Sequence, residues 1–265
     1  MKLGIGSYTY TWAVGVPGQM PARPMTALDL CRRAEALGVG VVQLCENIML
    51  GEEERRELKE WTWGRSRFQI EFGIRGLDAA ALLDTAKMAA RHGSSFVRLV
   101  LDSKGHEPSP GEVIDWLGEF AKTLPDGISV AIENHDRFNA ETLLRIVQTI
   151  PRTGITLDTV NSFGALEGPQ HVVETLAPHV LSLHIKDFVV RRVPSQMGFV
   201  IEGCPAGEGR LDIPWLLDCI RNAGRDPNAI IELWTPPADT LEETIAREAE
   251  WAKRSVEYLR TLLTD

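Results

Sequence analysis

Residues 182–187 read Ser-Leu-His-Ile-Lys-Asp, an apolar run that carries a histidine and a lysine where a buried strand would carry neither. Side chains alternate between the two faces of a strand, so Ser182, His184 and Lys186 share one face and the apolar residues share the other. Because polar groups are costly to bury without partners, the polar face must point into a cleft. The stretch therefore predicts a strand that ends at a functional site.

Three further predicted strands end in acidic residues, since Glu133, Asp158 and Glu232 each follow a short apolar run. Taken alone, a strand histidine is more often a packed core residue, and a lone carboxylate often caps a helix or, for Asp158, a turn. Two glutamates, one aspartate and one histidine at four strand ends are instead typical of a metal site. We predict that these four side chains bind one ion.

The whole chain alternates between strand and helix patterns, about eight times over a length near the roughly 250 residues of a (β/α)8 barrel. The predicted strands are residues 3–7, 39–45, 70–74, 96–101, 128–133, 155–158, 180–186 and 229–233. We therefore predict an α/β fold, a single (β/α)8 TIM barrel domain over residues 1–265. An open doubly wound sheet is the alternative, but no glycine-rich phosphate loop follows the first strand. In a barrel, all four acidic and histidine side chains fall on the active face.

Composition narrows the function classes. The 265 residues are 44% hydrophobic and carry a formal charge of −9, with scattered basic residues, so nucleic acid is a poor partner. The four cysteines form no CxxC pair, which argues against disulfides and a structural zinc site and favours a reduced, cytoplasmic setting. No apolar run is long enough for a membrane span. The expected partner is a small molecule, and the sequence also allows a homo-oligomer.

The predicted ligands favour one class of ion and one class of reaction. Carboxylates with one imidazole suit Mn²⁺ best, with Mg²⁺ or Co²⁺ as alternatives. A hydroxyl and a carbonyl of a ketose could fill the open coordination positions, and the ion would then stabilise an enediolate. Glu133 and Glu232, held on different strands, could remove and return a proton, so both are predicted to be catalytic.

Other residues are predicted to contact the substrate. His135 shares a face with Glu133, Lys186 shares a face with the strand histidine, and Trp12 lies in an irregular loop where it could form a wall for a sugar. Each has a structural alternative: packing for His135 and Trp12, and an ion pair for Lys186. Arg98 interrupts an apolar strand and is either an internal ion-pair partner or an anion-binding group.

An insertion separates the last two predicted ligands, which lie 48 residues apart, whereas the preceding intervals are 25 and 26 residues. It spans residues 189–210, includes Arg191 and Glu208, and could serve as a lid over the site. We predict that both side chains contact the substrate.

Several motifs together resemble the xylose isomerase-like barrel family. These are Glu-Asn-His at 133–135, Leu-Asp at 157–158, His-Ile-Lys-Asp at 184–187, Gly-Glu-Gly at 207–209 and Ile-Glu-Leu-Trp at 231–234. The family includes ketose 3-epimerases, hydroxypyruvate isomerases and inosose dehydratases. The resemblance implies the same four metal ligands, with two glutamates as acid and base. Many of the epimerases have a histidine where this chain has Asn161, so Asn161 is a predicted substrate contact that departs from their pattern.

Three functions fit these observations. The first is a metal-dependent isomerase or epimerase of a small keto-sugar or keto-sugar acid. The second forms the same intermediate by losing CO2 or water, because several basic residues, Arg98 and Lys186 among them, could hold a substrate carboxylate. The third is a metal-free sugar-binding module.

Overall fold

A computed structural model describes residues 1–65 and 68–263, which form a closed parallel barrel surrounded by helices. The barrel strands, in chain order, are β1 (Leu3–Gly6), β2 (Val41–Leu44), β3 (Gln69–Arg75), β4 (Phe96–Val100), β5 (Ser129–Glu133), β6 (Thr153–Asp158), β7 (Val180–Ile185) and, after a hairpin, β10 (Asn228–Ile231). Their order around the barrel is β1-β10-β7-β6-β5-β4-β3-β2. The predicted TIM barrel is confirmed.

Several of the helices begin at a residue whose side chain caps them. They are α1 (Thr11–Val14), α2 (Ala27–Leu37), α3 (Glu52–Thr62), α4 (Ala79–Arg91), α5 (Pro110–Phe120), α6 (Ala140–Thr149), α7 (Pro169–Leu176), α8 (Ile213–Asn222) and α9 (Leu241–Leu259). Thr26, Ser109 and Thr240 form capping boxes, in which the cap hydroxyl and a carboxylate three residues later each accept a backbone N–H. Each such cap stabilises its helix by about 1 kcal/mol.

Two segments differ from the sequence-based expectation. The loop after β1, expected to be irregular throughout, contains the short helix α1. The insertion after β7 forms an antiparallel hairpin of β8 (Asp187–Arg192) and β9 (Phe199–Cys204), which stands outside the barrel. Periodicity could not reveal a four-residue helix, because it completes little more than one turn.

The barrel interior and the shell between strands and helices form one apolar core. Buried polar side chains lie at the carboxyl ends of several strands, which all open onto the same face, and others lie within the strands, where Gln43 donates a hydrogen bond to Glu71. Within the described residues, no helix is both long and apolar enough to cross a bilayer.

Candidate metal centre and substrate pocket

Four adjacent barrel strands bring the predicted ligands together. Glu133 and Asp158 are the last residues of β5 and β6, His184 lies near the end of β7, and Glu232 directly follows β10. Parallel pairing places Asp158 directly opposite His184. The four side chains are each at most 2% exposed.

The ligand atoms converge on the imidazole of His184. Its Nδ1 lies 3.2 Å from Oε1 of Glu232, 3.6 Å from Oε2 of Glu133 and 3.9 Å from Oδ2 of Asp158. None of these contacts is aligned as a hydrogen bond, and both ring nitrogens of His184 and Oε1 of Glu232 lack hydrogen-bond partners. Buried polar atoms are normally satisfied, so a shared set of unsatisfied ones requires an explanation. Ligand atoms of Glu133, Asp158 and His184 all lie within 4.8 Å of one another, a spacing that fits a divalent cation, and Glu232 lies next to this cluster at His184.

Lys186 borders the four ligands on the pocket side. Its Nζ lies 2.8 Å from Oδ2 of Asp158 and 2.9 Å from Oε2 of Glu232, and it donates a hydrogen bond to Oδ1 of Asn161 at 3.2 Å. Burial alone would lower the pKa of the ammonium group, but the nearby carboxylates, led by that of Asp158, raise this pKa well above its ordinary value. The neighbouring carboxylates therefore favour the charged form of Lys186.

Glu133 is held by two partners. Asn161 donates from Nδ2 to its Oε1 at 2.8 Å, and Arg98 donates from Nε to its Oε2. Burial would raise the pKa of Glu133, yet the positive charges around it, that of Arg98 above all, lower this pKa to about 2. Glu133 is therefore an oriented, ionised carboxylate.

Arg98 itself lies beneath the pocket. Its guanidinium also donates to Oε2 of Glu46 at 2.7 Å, and Glu46 in turn accepts a hydrogen bond from the Tyr8 hydroxyl at 2.9 Å. The side chain of Arg98 is 3% exposed. Of the two roles considered from the sequence, the structure shows the internal ion pair, and it does not place Arg98 against the pocket.

The mouth of the site is a cavity of about 460 Å³. Its apolar and aromatic walls include Trp12, Phe163 and Trp234, and its polar lining includes His135, Asn161 and Lys186. A larger cavity of about 1040 Å³ lies between α4 and α5 on the outside of the barrel, lined by residues such as Leu83, Trp116 and Phe120. We place the site at the smaller cavity, because charged groups from several strand ends converge there.

His135 lies at the rim of this cavity. Its Nδ1 is 2.5 Å from Oδ1 of Asp136, and the two residues lie close enough to Asp102 for all three to contact one ion. Asp102, however, is already paired with Arg75. We therefore regard His135 as a rim residue that faces the substrate pocket.

Two predicted substrate contacts lie elsewhere. Arg191 is an exposed residue of the hairpin and pairs with Glu202 on the neighbouring strand. Glu208 pairs with Arg254 of α9. The structure does not bring either side chain to the pocket, because the hairpin extends beyond the barrel and the turn that follows it packs against α9.

Sequence reasoning missed Glu46, Tyr8 and Phe163. Glu46 lies two residues beyond β2, at the same end of the barrel as the predicted ligands, and this position could have marked it. Phe163 packs edge-on against Phe188 at the base of the hairpin, with ring centroids 4.9 Å apart, which no sequence pattern indicates.

Comparison with known proteins agrees with this architecture. The family model described as "Xylose isomerase-like TIM barrel" matches residues 65–262. The chain belongs to this family. The 3-oxo-isoapionate decarboxylase of Pectobacterium atrosepticum is 31% identical over an alignment 272 positions long, which covers 98% of this chain and 96% of that protein.

Solved structures of this fold include proteins of different activities. A xylose isomerase-like barrel protein from Mycobacterium smegmatis, in complex with magnesium, superimposes with a TM-score of 0.67 at 12% identity and covers 97% of both chains. An L-ribulose 3-epimerase superimposes with the same TM-score at 14% identity, covering 98% of this chain and 93% of its own. The relatives of this chain thus include a decarboxylase, and the proteins that share its fold include an epimerase.

Proposed function

We propose that this chain is a divalent-metal-dependent lyase that decarboxylates a small keto-sugar acid. The choice of reaction is carried by the similarity to 3-oxo-isoapionate decarboxylase, which extends over 98% of the chain. The charged Lys186 in the pocket supports it, because a cation beside the ligand set suits an anionic substrate.

Glu133, Asp158, His184 and Glu232 would hold the cation. Bound there, a divalent cation supplies positive charge that polarises a substrate carbonyl. Mn²⁺ is the ion we expect first, with Mg²⁺ and Co²⁺ as alternatives, because carboxylate oxygens dominate the ligand set.

Decarboxylation of a 3-keto acid breaks the bond between the carboxyl carbon and its neighbour. CO2 leaves, the electron pair of that bond moves onto the ketone oxygen as an enolate, and the carbon then takes up a proton. The ammonium of Lys186 provides a fixed positive charge beside the developing negative charge, and it needs no reorganisation because Asp158 and Glu232 already hold it.

The two glutamates are unequal in this arrangement. Both oxygens of Glu133 have partners, Asn161 and Arg98, so it is suited to be an oriented ligand. Glu232 keeps Oε1 without a hydrogen-bond partner, and we assign it the proton-transfer role. Trp12 and Trp234 form walls of the pocket and exclude water from one side of the substrate.

A second candidate is an isomerase or epimerase acting through an enediolate. It is favoured by the position of Glu133 and Glu232 on strands separated by β6 and β7, so that the two carboxylates approach the substrate from different sides. Against it stands Asn161, which occupies the place of the histidine found in many epimerases and is committed to Glu133 and Lys186.

The deciding experiment uses 3-oxo-isoapionate, with each of the three metals and with EDTA. We expect CO2 release that requires the metal and that falls at least about 100-fold in Glu232→Gln. Solvent proton exchange into ketoses such as L-ribulose, without CO2 release from the acid, would instead support the epimerase. Sugar binding that EDTA does not weaken, with no turnover of either compound, would support the metal-free binding module.

A further inference from the structure

Glu248 is a buried carboxylate that the proposed reaction does not use. It lies on α9, is fully buried, and accepts backbone hydrogen bonds on both oxygens: from Trp12 N to Oε1 at 3.0 Å and from Ala13 N to Oε2 at 3.1 Å. Within residues 1–65 and 68–263, no lysine or arginine forms an ion pair with it. Burying a carboxylate without a counter-charge costs free energy, so its contact with two backbone N–H groups needs an explanation.

The partner of Glu248 is the short helix α1. Four residues are too few to form a stable helix unaided, because nucleation is unfavourable and all the first backbone N–H groups lack internal acceptors. The preceding residue, Tyr10, supplies no side-chain cap. Glu248 provides the missing acceptors from a distant helix, 236 residues along the chain from Trp12.

This helix forms part of the substrate pocket. Thr11 and Trp12 line the cavity, and the indole Nε1 of Trp12 donates to the carbonyl oxygen of Thr235 at 2.9 Å, which joins the loop after β1 to the loop after β10. Thr235 lies three residues beyond Glu232. One pocket wall is therefore built from two loops, and Glu248 attaches the α1 part of this wall to α9.

We infer that Glu248 is a positioning residue for substrate binding: through the backbone of α1 it holds the Trp12 wall in place without contacting the substrate. It lies outside the ligand set, so its loss acts on substrate affinity and leaves the metal and the chemical step in place. The identity of the substrate rests on the proposed function, but the ordering of α1 does not.

The test compares Glu248→Ala and Glu248→Gln with Glu250→Gln, which alters an exposed residue of the same helix. Hydrogen exchange of the peptide covering residues 8–16 reports on α1 directly. We expect exchange about tenfold faster in Glu248→Ala, a smaller increase in Glu248→Gln, which keeps one acceptor, and none in the control. With 3-oxo-isoapionate and Mn²⁺, we expect KM to rise about tenfold in Glu248→Ala, while kcat and Mn²⁺ affinity stay within about twofold.

Unchanged exchange in residues 8–16 would overturn the inference, and so would faster exchange with an unchanged KM. A fall in kcat at constant KM would also overturn it, because it would place Glu248 in the chemical step. If Glu248→Ala fails to fold, Glu248→Gln carries the same comparison. If the wild-type protein does not turn over 3-oxo-isoapionate, the proposed function is refuted but the role of Glu248 is not. Hydrogen exchange of residues 8–16 would then decide whether Glu248 orders α1.

Discussion

The ammonium group of Lys186 lies between two of the predicted metal ligands, 2.8 Å from Asp158 and 2.9 Å from Glu232. A fixed positive charge and a divalent cation would then share the same carboxylates. Because the two positive charges compete for these carboxylates, removing the charge of Lys186 should strengthen metal binding and weaken catalysis.

Lys186→Met should therefore bind Mn²⁺ more tightly, by about tenfold, because removing a neighbouring positive charge favours the cation by roughly 1 kcal/mol or more. The same change should lower kcat about 100-fold, since the charge that stabilises the enolate is lost. Calorimetric titration with Mn²⁺ and CO2 release measure the two effects. The control is Lys253→Met, whose ammonium is exposed on α9; weaker Mn²⁺ binding in Lys186→Met would contradict the shared-carboxylate interpretation.

Asp158→Asn should weaken metal binding at least about 100-fold, because an amide is a poorer ligand than a carboxylate for a hard cation. The fold should survive, since Oδ1 of Asp158 accepts backbone hydrogen bonds from Val160 and Asn161 that the amide oxygen can also accept. Equilibrium dialysis with Mn²⁺, alongside circular dichroism, separates the two effects. Asp126→Asn, on the surface, is the matched control, and metal affinity equal to wild type in Asp158→Asn would remove this residue from the site.

Arg98→Met should destabilise the protein by about 3–5 kcal/mol, because it leaves Glu133 and Glu46 without their buried counter-charge. Arg254→Met, which breaks the partly exposed pair with Glu208, should cost under about 1 kcal/mol. Urea denaturation without metal measures the free energy of unfolding of both variants. Similar losses of unfolding free energy in the two variants would show that the buried ion pair stabilises the fold no more than the partly exposed pair does.

Stability should depend on pH through Glu248. Burial raises the pKa of its carboxyl from 4.5 to about 7, although the backbone N–H groups of α1 oppose this shift. Because the folded state holds the proton more tightly than the unfolded state, the contribution is fully present below pH 4.5 and is lost as pH rises through 7. Between pH 5 and pH 8, the free energy of unfolding of the wild type should fall by up to about 3 kcal/mol relative to that of Glu248→Gln. If the free energy of unfolding changes with pH in the same way in wild type and in Glu248→Gln, Glu248 is not the source of the pH dependence.

The barrel and the convergence of its four predicted ligands followed from simple rules. Apolar runs gave the strands, and a polar residue at the carboxyl end of a barrel strand must face the common mouth, so Glu133, Asp158, His184 and Glu232 could be grouped without coordinates. Arg98 could be recognised as unusual for the same reason, because it interrupts an apolar strand.

Contacts between distant segments could not be predicted in this way. The pairing of Arg98 with Glu46 and of Glu248 with Trp12 depends on how helices and loops pack, and neither pair has a regular spacing. The position of Arg191 could not be predicted either, because alternation predicts which residues share a face of a strand, whereas the direction in which a hairpin leaves the barrel is set by packing.

The base of that hairpin is fixed by one side chain. Asp187, next to Lys186, accepts hydrogen bonds from four backbone N–H groups, those of Phe188, Gly207, Gly209 and Leu211. The tip, residues 193–198, takes no part in this anchoring. Loops of other lengths could therefore be grafted between β8 and β9 without disturbing Lys186.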